Sequence, residues 1–486
     1  MIISYLIERD QVINMDRSKK YKSLVKNTLI FALGNIGSKV IVFFLVPFYT
    51  YYLTPEEYGI SDLVFTISQL SIPFFSVVIF DAVIRFALYR KERPQDALLV
   101  GIVVWIVGTL IAFLCTPLFG IYKVVDDWKW YISIYISVSM LVSIELNYLK
   151  AIDKNISYSL ICIIQTLSLA LLNIFLVAHL RLGIEGYLIS YVGSSIIAAI
   201  IAIFAGGLVK ELKKSHYDKS LAKQMIIYSS PLILNNLSWW VIQSSDKLMI
   251  ESMVDSTALG IYNVASRIPS LITVFVAIFQ QAWGISSIKE MDSSNDKVYY
   301  TNVFEFYSFI SFVGGIAICA IIKPFMDIYV MSESYGDVWK YVPLLLAGAV
   351  FSSLAAYCGG MYGALKKSVN NMFTTLLAAI VNIIVNFIAI LYLGVWGAII
   401  GTLVAYIILA FVRIIDVKRY VNIGINWRKL LTNSFLILAQ AIVMALTSYV
   451  VGAICSAIAI SIFFIVNKRE VIRFAQYIKH RRKNNV

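Results

Sequence analysis

Charge is what this chain of 486 residues lacks: only 14% of its residues are Asp, Glu, Lys or Arg, against roughly 25% in a soluble globular domain. So few charges cannot cover the surface of a water-soluble protein of this length, which excludes an ordinary soluble enzyme. A hydrophobic fraction of 60% excludes a disordered chain. Histidine is scarce, and His179, His216 and His480 are too scattered to form a ligand set. The five cysteines, Cys115, Cys162, Cys319, Cys358 and Cys455, lie in apolar runs without paired spacing. They read as small buried hydrophobes rather than disulfides or metal ligands. No GxxxxGK[ST] loop is present to cradle ATP phosphates, and no connecting loop is long enough to hold a catalytic domain. These absences speak against an enzyme and imply neither metal nor cofactor.

What is present is a series of apolar blocks, each about twenty residues long, the length that crosses a hydrocarbon core of roughly 30 Å. Candidate spans fall at 27–51, 60–84, 97–119, 130–149, 157–179, 184–208, 225–250, 260–286, 299–322, 341–364, 369–392, 395–412, 430–448 and 450–466. Blocks of this length are too long for barrel strands. The expected fold is therefore an all-α polytopic membrane protein with about fourteen transmembrane helices.

The formal charge of +13 does not point to nucleic acid, because the basic residues cluster between apolar blocks. With the N-terminus placed inside, 33 of the 41 Lys and Arg fall on inner segments. Only Lys123, Lys129, Arg181, Lys323 and Lys340 fall outside, while Lys39, Lys247 and Arg267 lie within spans. This asymmetry predicts an even number of spans with both termini cytoplasmic. MIISYLI at 1–7 is too short and too soon interrupted for a signal peptide, and Met15, which opens a basic lead-in to the first span, is the expected translational start. In the tail, Val471, Phe474, Ala475 and Ile478 share one face of a basic helix suited to anionic lipid.

The chain partly repeats itself. TPEEYGISDLVFTI at 54–67 resembles DSTALGIYNVASRI at 255–268, and LGIEGYLIS at 182–190 resembles LGVWGAIIG at 393–401. The two offsets, 201 and 211 residues, keep the same order and predict a duplicated six-helix unit. The expected organisation is a cytoplasmic segment 1–26, a first lobe 27–208, a linker 209–224, a second lobe 225–412, a loop 413–429, two further helices within 430–466, and a basic tail 467–486. An even-numbered repeat implies two bundles related by a pseudo-two-fold along the membrane normal, with a cavity between them.

SKVIVFFLVPFYTYYL at 38–53, followed by TPEEYGISDLVFTI, resembles the opening of the polysaccharide-transporter family of lipid-linked oligosaccharide flippases. YLKAIDKNISYSLICIIQTLSLALLNIFLVAHLRLGIEG at 148–186 is similar to that family's fourth and fifth helices, and LGIYNVASRIPSL at 259–271 matches again in the second half. The resemblance runs over residues 15–467. This family shares a superfamily, the multidrug/oligosaccharidyl-lipid/polysaccharide exporters, with peptidoglycan-precursor flippases and multidrug/toxin-extrusion antiporters. The resemblance implies alternating-access flipping of a polyprenyl-diphosphate-linked glycan, such as an O-antigen (lipopolysaccharide), capsule or exopolysaccharide repeat unit. It also implies a coupling ion, H+ or Na+, and partnership with a polysaccharide polymerase and a chain-length protein. A peptidoglycan-precursor flippase and a cation-coupled drug antiporter are the alternatives.

Ionisable groups at membrane depth nominate the site, since each costs roughly 2.5–3.5 kcal/mol on insertion scales. Lys39, one turn beyond Asn35, reads as a cavity cation or an ion-pair partner. Asn236, Trp240, Gln243 and Lys247 form one helical stripe beside Asp246, which lines a cavity or forms an interfacial belt. Arg267, suited to bidentate phosphate contact, occupies the stretch where related flippases place a cavity arginine. Gln280, Gln281 and Trp283 lie deeper on the same span and suit sugar. Asp62 and Gln69 share a side of the second span, which Pro73 can kink. Asp81 and Arg85, at i, i+4, form either an inner gate or a structural pair. Glu145 has Lys150 within reach, and Asn382 with Asn386 suits helix–helix hydrogen bonding.

Overall fold

The structure is a computed structural model that describes residues 41–89, 93–276, 279–280, 283, 297–365, 367–421 and 423–472. Among these residues the chain is helical, with no strand. It divides into two compact units, Met1–Leu248 and Met249–Val486.

The first unit holds α1 (Ile41–Tyr52), α2 (Pro55–Ser76), α3 (Ile79–Tyr89), α4 (Pro94–Leu114), α5 (Lys129–Ala151), α6 (Asn155–Asn173), α7 (Gly183–Gly206) and most of α8 (Lys219–Met253). The second holds α9 (Ser256–Arg267), α10 (Ser270–Val276), α11 (Lys297–Ala320), α12 (Val342–Ala364), α13 (Ser368–Leu393), α14 (Val395–Val417), α15 (Trp427–Leu446) and α16 (Tyr449–Val466). Among the described residues ten helices are long and apolar enough to cross a membrane, or twelve if each of two bent pairs counts as one span. The sequence suggests about fourteen, and the two other candidates differ for physical reasons. Candidate 27–51 lies partly outside the described residues, among which α1 has twelve. Helix α8 has 35 residues, about 52 Å of length at 1.5 Å per residue, but its Asn, Gln, Asp and Lys side chains lower its hydropathy.

Capping explains where α2 begins. Thr54 Oγ1 accepts from the Glu57 backbone N–H at 3.2 Å, and the Glu57 carboxylate accepts from the Thr54 N–H at 2.9 Å. Each side chain thus satisfies an orphan donor of the first turn. The far end is strained. Val77 and Val78 take φ of 49° and 52°, a left-handed conformation unfavourable for β-branched residues, and α3 departs from α2 at 52°. Pro73 lacks a backbone N–H, and the hydroxyls of Ser71 and Ser76 bond back to carbonyls one turn earlier. Both effects weaken the helix just before its break.

The core of the first unit gathers Ile79 and Val83 of α3, Leu98 of α4, Ile144 and Tyr148 of α5, Ala198 and Ala202 of α7, and Met225 at the start of α8. Small residues on α7 let neighbouring backbones approach closely. In the second unit α12 is central, with 83% of its apolar window buried against 22% for α16. Polar contacts tie α15 to α11 and to α16 with the residues that follow it. The Gln440 amide donates to the Ile316 carbonyl at 3.1 Å and to Ser456 Oγ at 2.9 Å. Asn433 and Asn467 exchange hydrogen bonds, and Lys429 pairs with Glu470 at 2.6 Å. Large apolar side chains remain exposed along the outer helices, among them Leu114, Phe204, Tyr392, Phe435 and Ile465. In water such exposure would promote aggregation, whereas hydrocarbon accommodates it.

Local devices recur at the offsets of the sequence repeat. Thr54 caps α2, and Asp255, 201 positions later, caps α9 by accepting from the Ala258 N–H at 2.6 Å. Gly183 and Gly394 both take φ of +54°, which L side chains resist, at the first residue of α7 and immediately before α14. Three residues on, Gly186 lies against the Leu176 backbone and Gly397 against the backbone of Ala389 and Ile390.

Gly397→Ala would set a methyl group into the Ala389–Ile390 backbone, an overpacking that costs about 1–3 kcal/mol. The expected outcome is a melting temperature in detergent lowered by several degrees. Gly314→Ala, whose new methyl meets nothing within 4 Å, should leave the melting temperature unchanged or raised.

Candidate functional site

Helix periodicity places Asp62, Thr66 and Gln69 along one side of α2. Asp62 is 1% exposed, and Lys247 of α8 meets it, Nζ to Oδ2, at 2.6 Å. Thr66 Oγ1 donates to the same carboxylate oxygen at 3.5 Å. The neighbouring Asp246 carboxylate accepts from the Lys247 backbone N–H at 2.9 Å. Two charges that would each be costly alone at this depth therefore form a neutral pair between two spans. One turn further along α2, the Gln69 amide donates to the Tyr135 hydroxyl at 3.5 Å.

The rest of the α8 stripe divides. The Asn236 amide is taken up by the Leu232 carbonyl of its own helix at 3.0 Å. Gln243 is exposed. The buried Trp240 indole N–H has no hydrogen-bond partner among the described residues.

In the second unit, Arg267 is the last residue of α9, half-buried, at a 40° break before α10. Its carbonyl accepts from Ser270 Oγ at 2.5 Å. One turn earlier, Asn263 is fully buried, and neither atom of its amide finds a hydrogen-bond partner among the described residues. Gln280 and Trp283 are brought together against α12. The Gln280 amide donates to the Ala356 carbonyl. The Trp283 indole donates to the Tyr357 carbonyl at 3.2 Å and stacks on the Tyr357 ring at 4.7 Å. In this conformation Trp283 belongs to buried packing and Gln280 is half-buried. Asn35, Lys39 and Gln281 lie outside the described residues.

At the other end of the first unit, Asp81 and Arg85 engage different neighbours. The Arg85 guanidinium lies 4.2 Å from the Tyr228 ring centroid on α8, while Asp81 interacts electrostatically with Lys150. Lys150 also sits 4.4 Å over the Tyr158 ring. Glu145 is 1% exposed, and its Oε2 has no hydrogen-bond partner among the described residues. Asn386 donates to Asn382, which donates across to Thr402 of α14 at 3.4 Å.

Sequence reasoning misses Arg413, which it assigns to a cytoplasmic loop beginning at 413. Helix α14 continues to Val417, and Arg413 is 1% exposed. Its Nε donates to Thr374 Oγ1 at 3.1 Å, Nη1 to the Ala355 carbonyl at 3.1 Å, and Nη2 to Asn371 Oδ1 and Thr375 Oγ1 at 2.6 and 2.8 Å. The available signal is the apolar rhythm of Ile414, Ile415 and Val417, which carries the helix past the arginine.

The family model described as "Polysaccharide biosynthesis protein" matches residues 24–284. An uncharacterized membrane protein of Methanocaldococcus jannaschii is 21% identical over 420 residues, 82% of this chain and 98% of that protein. Among solved structures, the lipid II flippase MurJ in an inward closed conformation aligns with a TM-score of 0.67 at 15% identity, covering 91% of this chain and 100% of that one. An inward-facing multidrug resistance MATE family transporter of the MOP superfamily aligns at 0.65 and 14% identity, covering 80% of this chain and 94% of that one. At these identities the likeness to the solved structures is one of fold.

Asp62→Asn leaves the Lys247 ammonium without its counter-charge, a loss of about 3–5 kcal/mol for a buried pair. A lowered melting temperature in detergent is expected, with most of it regained in the Asp62→Asn/Lys247→Met double variant. Additive losses in the double variant would contradict the pairing.

Proposed function

The chain belongs to the polysaccharide biosynthesis protein family, and on that premise we propose that it is a flippase for a polyprenyl-diphosphate-linked oligosaccharide. The substrate is an O-antigen, capsule or exopolysaccharide repeat unit, moved from the inner to the outer leaflet of the bacterial cytoplasmic membrane by alternating access. The observation that carries the reading is the presence of ionic side chains, Asp62, Lys247 and Arg267, inside or at the breaks of helices embedded in a polytopic membrane fold.

A glycan diphosphate cannot cross hydrocarbon unaided, because its hydroxyls and charges lose their water there. In this reading Arg267 engages the diphosphate with paired N–H donors. Lys39 and Lys247 add charge, and the polyprenyl tail stays in the bilayer between helices. Lys247 is held by Asp62 until the anion arrives, so the ammonium is available to phosphate only when that pair opens. Lobes 27–208 and 225–412 move against one another, with both termini cytoplasmic. Coupling to H+ or Na+, and delivery to a polymerase, complete the proposed cycle. The Asp62–Lys247 pair favours this reading over cation-coupled drug antiport, since a carboxylate already matched by an ammonium is not free to exchange a cation.

The test is reconstitution of purified protein with fluorescent polyprenyl-diphosphate glycans, following exposure in the outer leaflet over time. Acceleration over empty vesicles is expected, and its absence overturns the reading. Arg267→Ala should slow transfer at least about tenfold, the loss of one charge-assisted contact worth roughly 1.5–3 kcal/mol, while expression is retained. Wild-type transfer by that variant removes Arg267 from the site.

A further inference from the structure

Glu145 of α5 is 1% exposed, and its Oε2 has no hydrogen-bond partner among the described residues. It stands six residues before the helix ends at Ala151, about 9 Å along the axis. Its helical neighbours Ile144, Tyr148 and Leu149 are fully buried in the core of the first unit.

The sequence offers Lys150 as a partner, but the Lys150 ammonium lies 4.4 Å over the Tyr158 ring. The other charged groups on the helices packed against α5 are engaged elsewhere. Asp62 pairs with Lys247 at 2.6 Å, Asp81 acts on Lys150, Arg85 lies over Tyr228, and Asp96 accepts from the His216 N–H at 2.9 Å. Glu56, Glu57 and Glu185 stand in the first turns of α2 and α7. Helix α6 carries no charged residue, and its Tyr158 and Cys162 bond to each other. Tyr148, one turn along α5, donates its hydroxyl to Glu211 at 3.5 Å. Packing does not require an acid at this place. In the predicted repeat α5 is the fourth span of the first copy and α12 the fourth span of the second, and α12 carries no charged residue from Val342 to Ala364.

A carboxylate enclosed in this way is an uncompensated charge, whereas the neutral acid needs no counter-ion. Ionisable groups kept at such positions in membrane proteins mark ion and proton paths. A hard metal cation calls for several oxygen ligands. Among the described residues no three His, Cys, Asp or Glu side chains gather to hold one, and the flanking Ser143 and Asn147 donate to carbonyls of their own helix. The ion that a solitary carboxyl can hold is a proton.

Resting on the flippase reading above, and choosing between the two ions it leaves open, we propose that Glu145 is the binding site of a transported proton. The carboxylate takes a proton from water on the side that receives the glycan, forming one O–H bond, and the neutral acid permits the closed packing of α5. When the protein opens to the cytoplasm, that O–H bond breaks, the proton passes to water there, and the carboxylate is restored. Nothing is oxidised or reduced. Helix α5 carries the effect toward the substrate pair, since Tyr135 meets Gln69 of α2 at 3.5 Å, two turns from Asp62.

Full-length protein is reconstituted in vesicles with a fluorescent polyprenyl-diphosphate glycan and an enclosed pH-sensitive dye. Transfer is followed under a proton gradient, under a sodium gradient and under neither. With acid on the receiving side by about one pH unit, wild type is expected to transfer faster, by up to about tenfold, the ratio of proton activities such a gradient supplies. The dye should report proton entry that depends on the glycan lipid, and the sodium gradient should change nothing. In Glu145→Gln the ratio of rates with and without the proton gradient should fall to one, while Glu145→Asp, which keeps the carboxyl, should retain a response. Infrared spectra at neutral pH should show a carboxylic acid C=O band in wild type that is missing from Glu145→Gln, a readout that holds even if that variant transports nothing. Melting temperatures report whether each variant folds. A full gradient response in Glu145→Gln, a wild type driven by sodium or indifferent to the proton gradient, or identical infrared spectra overturns the proton site. A wild type that transfers no glycan lipid under any condition overturns the flippase reading itself.

Discussion

An ionic side chain in hydrocarbon costs roughly 2.5–3.5 kcal/mol even on insertion scales, and the most specific contacts of this chain are arranged around that cost. Two solutions are present. Lys247 is matched by an opposite charge, Asp62, on another span. Arg413 is matched by neutral acceptors from two neighbouring helices. The first solution keeps a charge that a competing anion can claim. The second spreads one positive charge over hydroxyl, amide and carbonyl oxygens and leaves little for a ligand to displace. The residues around Arg413 thus hold α12, α13 and α14 together, whereas the Lys247 pair can serve as a contact made and broken.

Aromatic clusters occur in both units. Around Trp283 the indole and the Tyr307 hydroxyl donate to backbone carbonyls, so the rings supply cohesion. Around Tyr191 the half-buried rings of Phe65 and Tyr135 lie with centroids 5.1 and 6.4 Å away. In each unit one span begins at an N-cap and breaks afterwards, by 52° at α2–α3 and by 40° at α9–α10.

The helical membrane class was legible because hydrocarbon demands long apolar runs, and few other solutions satisfy the backbone there. The repeat was legible through its glycines, since the φ of +54° at Gly183 and Gly394 tolerates little else. Asn382 and Asn386 were readable as helix glue from their spacing alone. Partner choice was not legible. Asp62 and Lys247 are 185 positions apart, and i, i+4 spacing suggested an Asp81–Arg85 contact where Arg85 turns instead to Tyr228. Arg413 was hidden by a rule that assigns a charge after an apolar block to the loop. Its acceptors come from other helices, 38 to 58 positions away in the chain. Trp283 reads from its position as suited to sugar, and its burial against Tyr357 was not legible, because a tryptophan reads the same in cavity or core until its neighbours are known.

The elbow at Val77–Val78 has one further consequence. A glycine joint would swing freely, since either sign of φ comes at little expense to it. Two consecutive valines at positive φ each cost about 1–3 kcal/mol and persist only where the surrounding packing over-determines them; Val78 and Ile79 are fully buried, so that packing sets the angle between α2 and α3. Any rearrangement in which α2 takes part must carry α3 with it as a single crooked lever, displacing whatever the far arm touches.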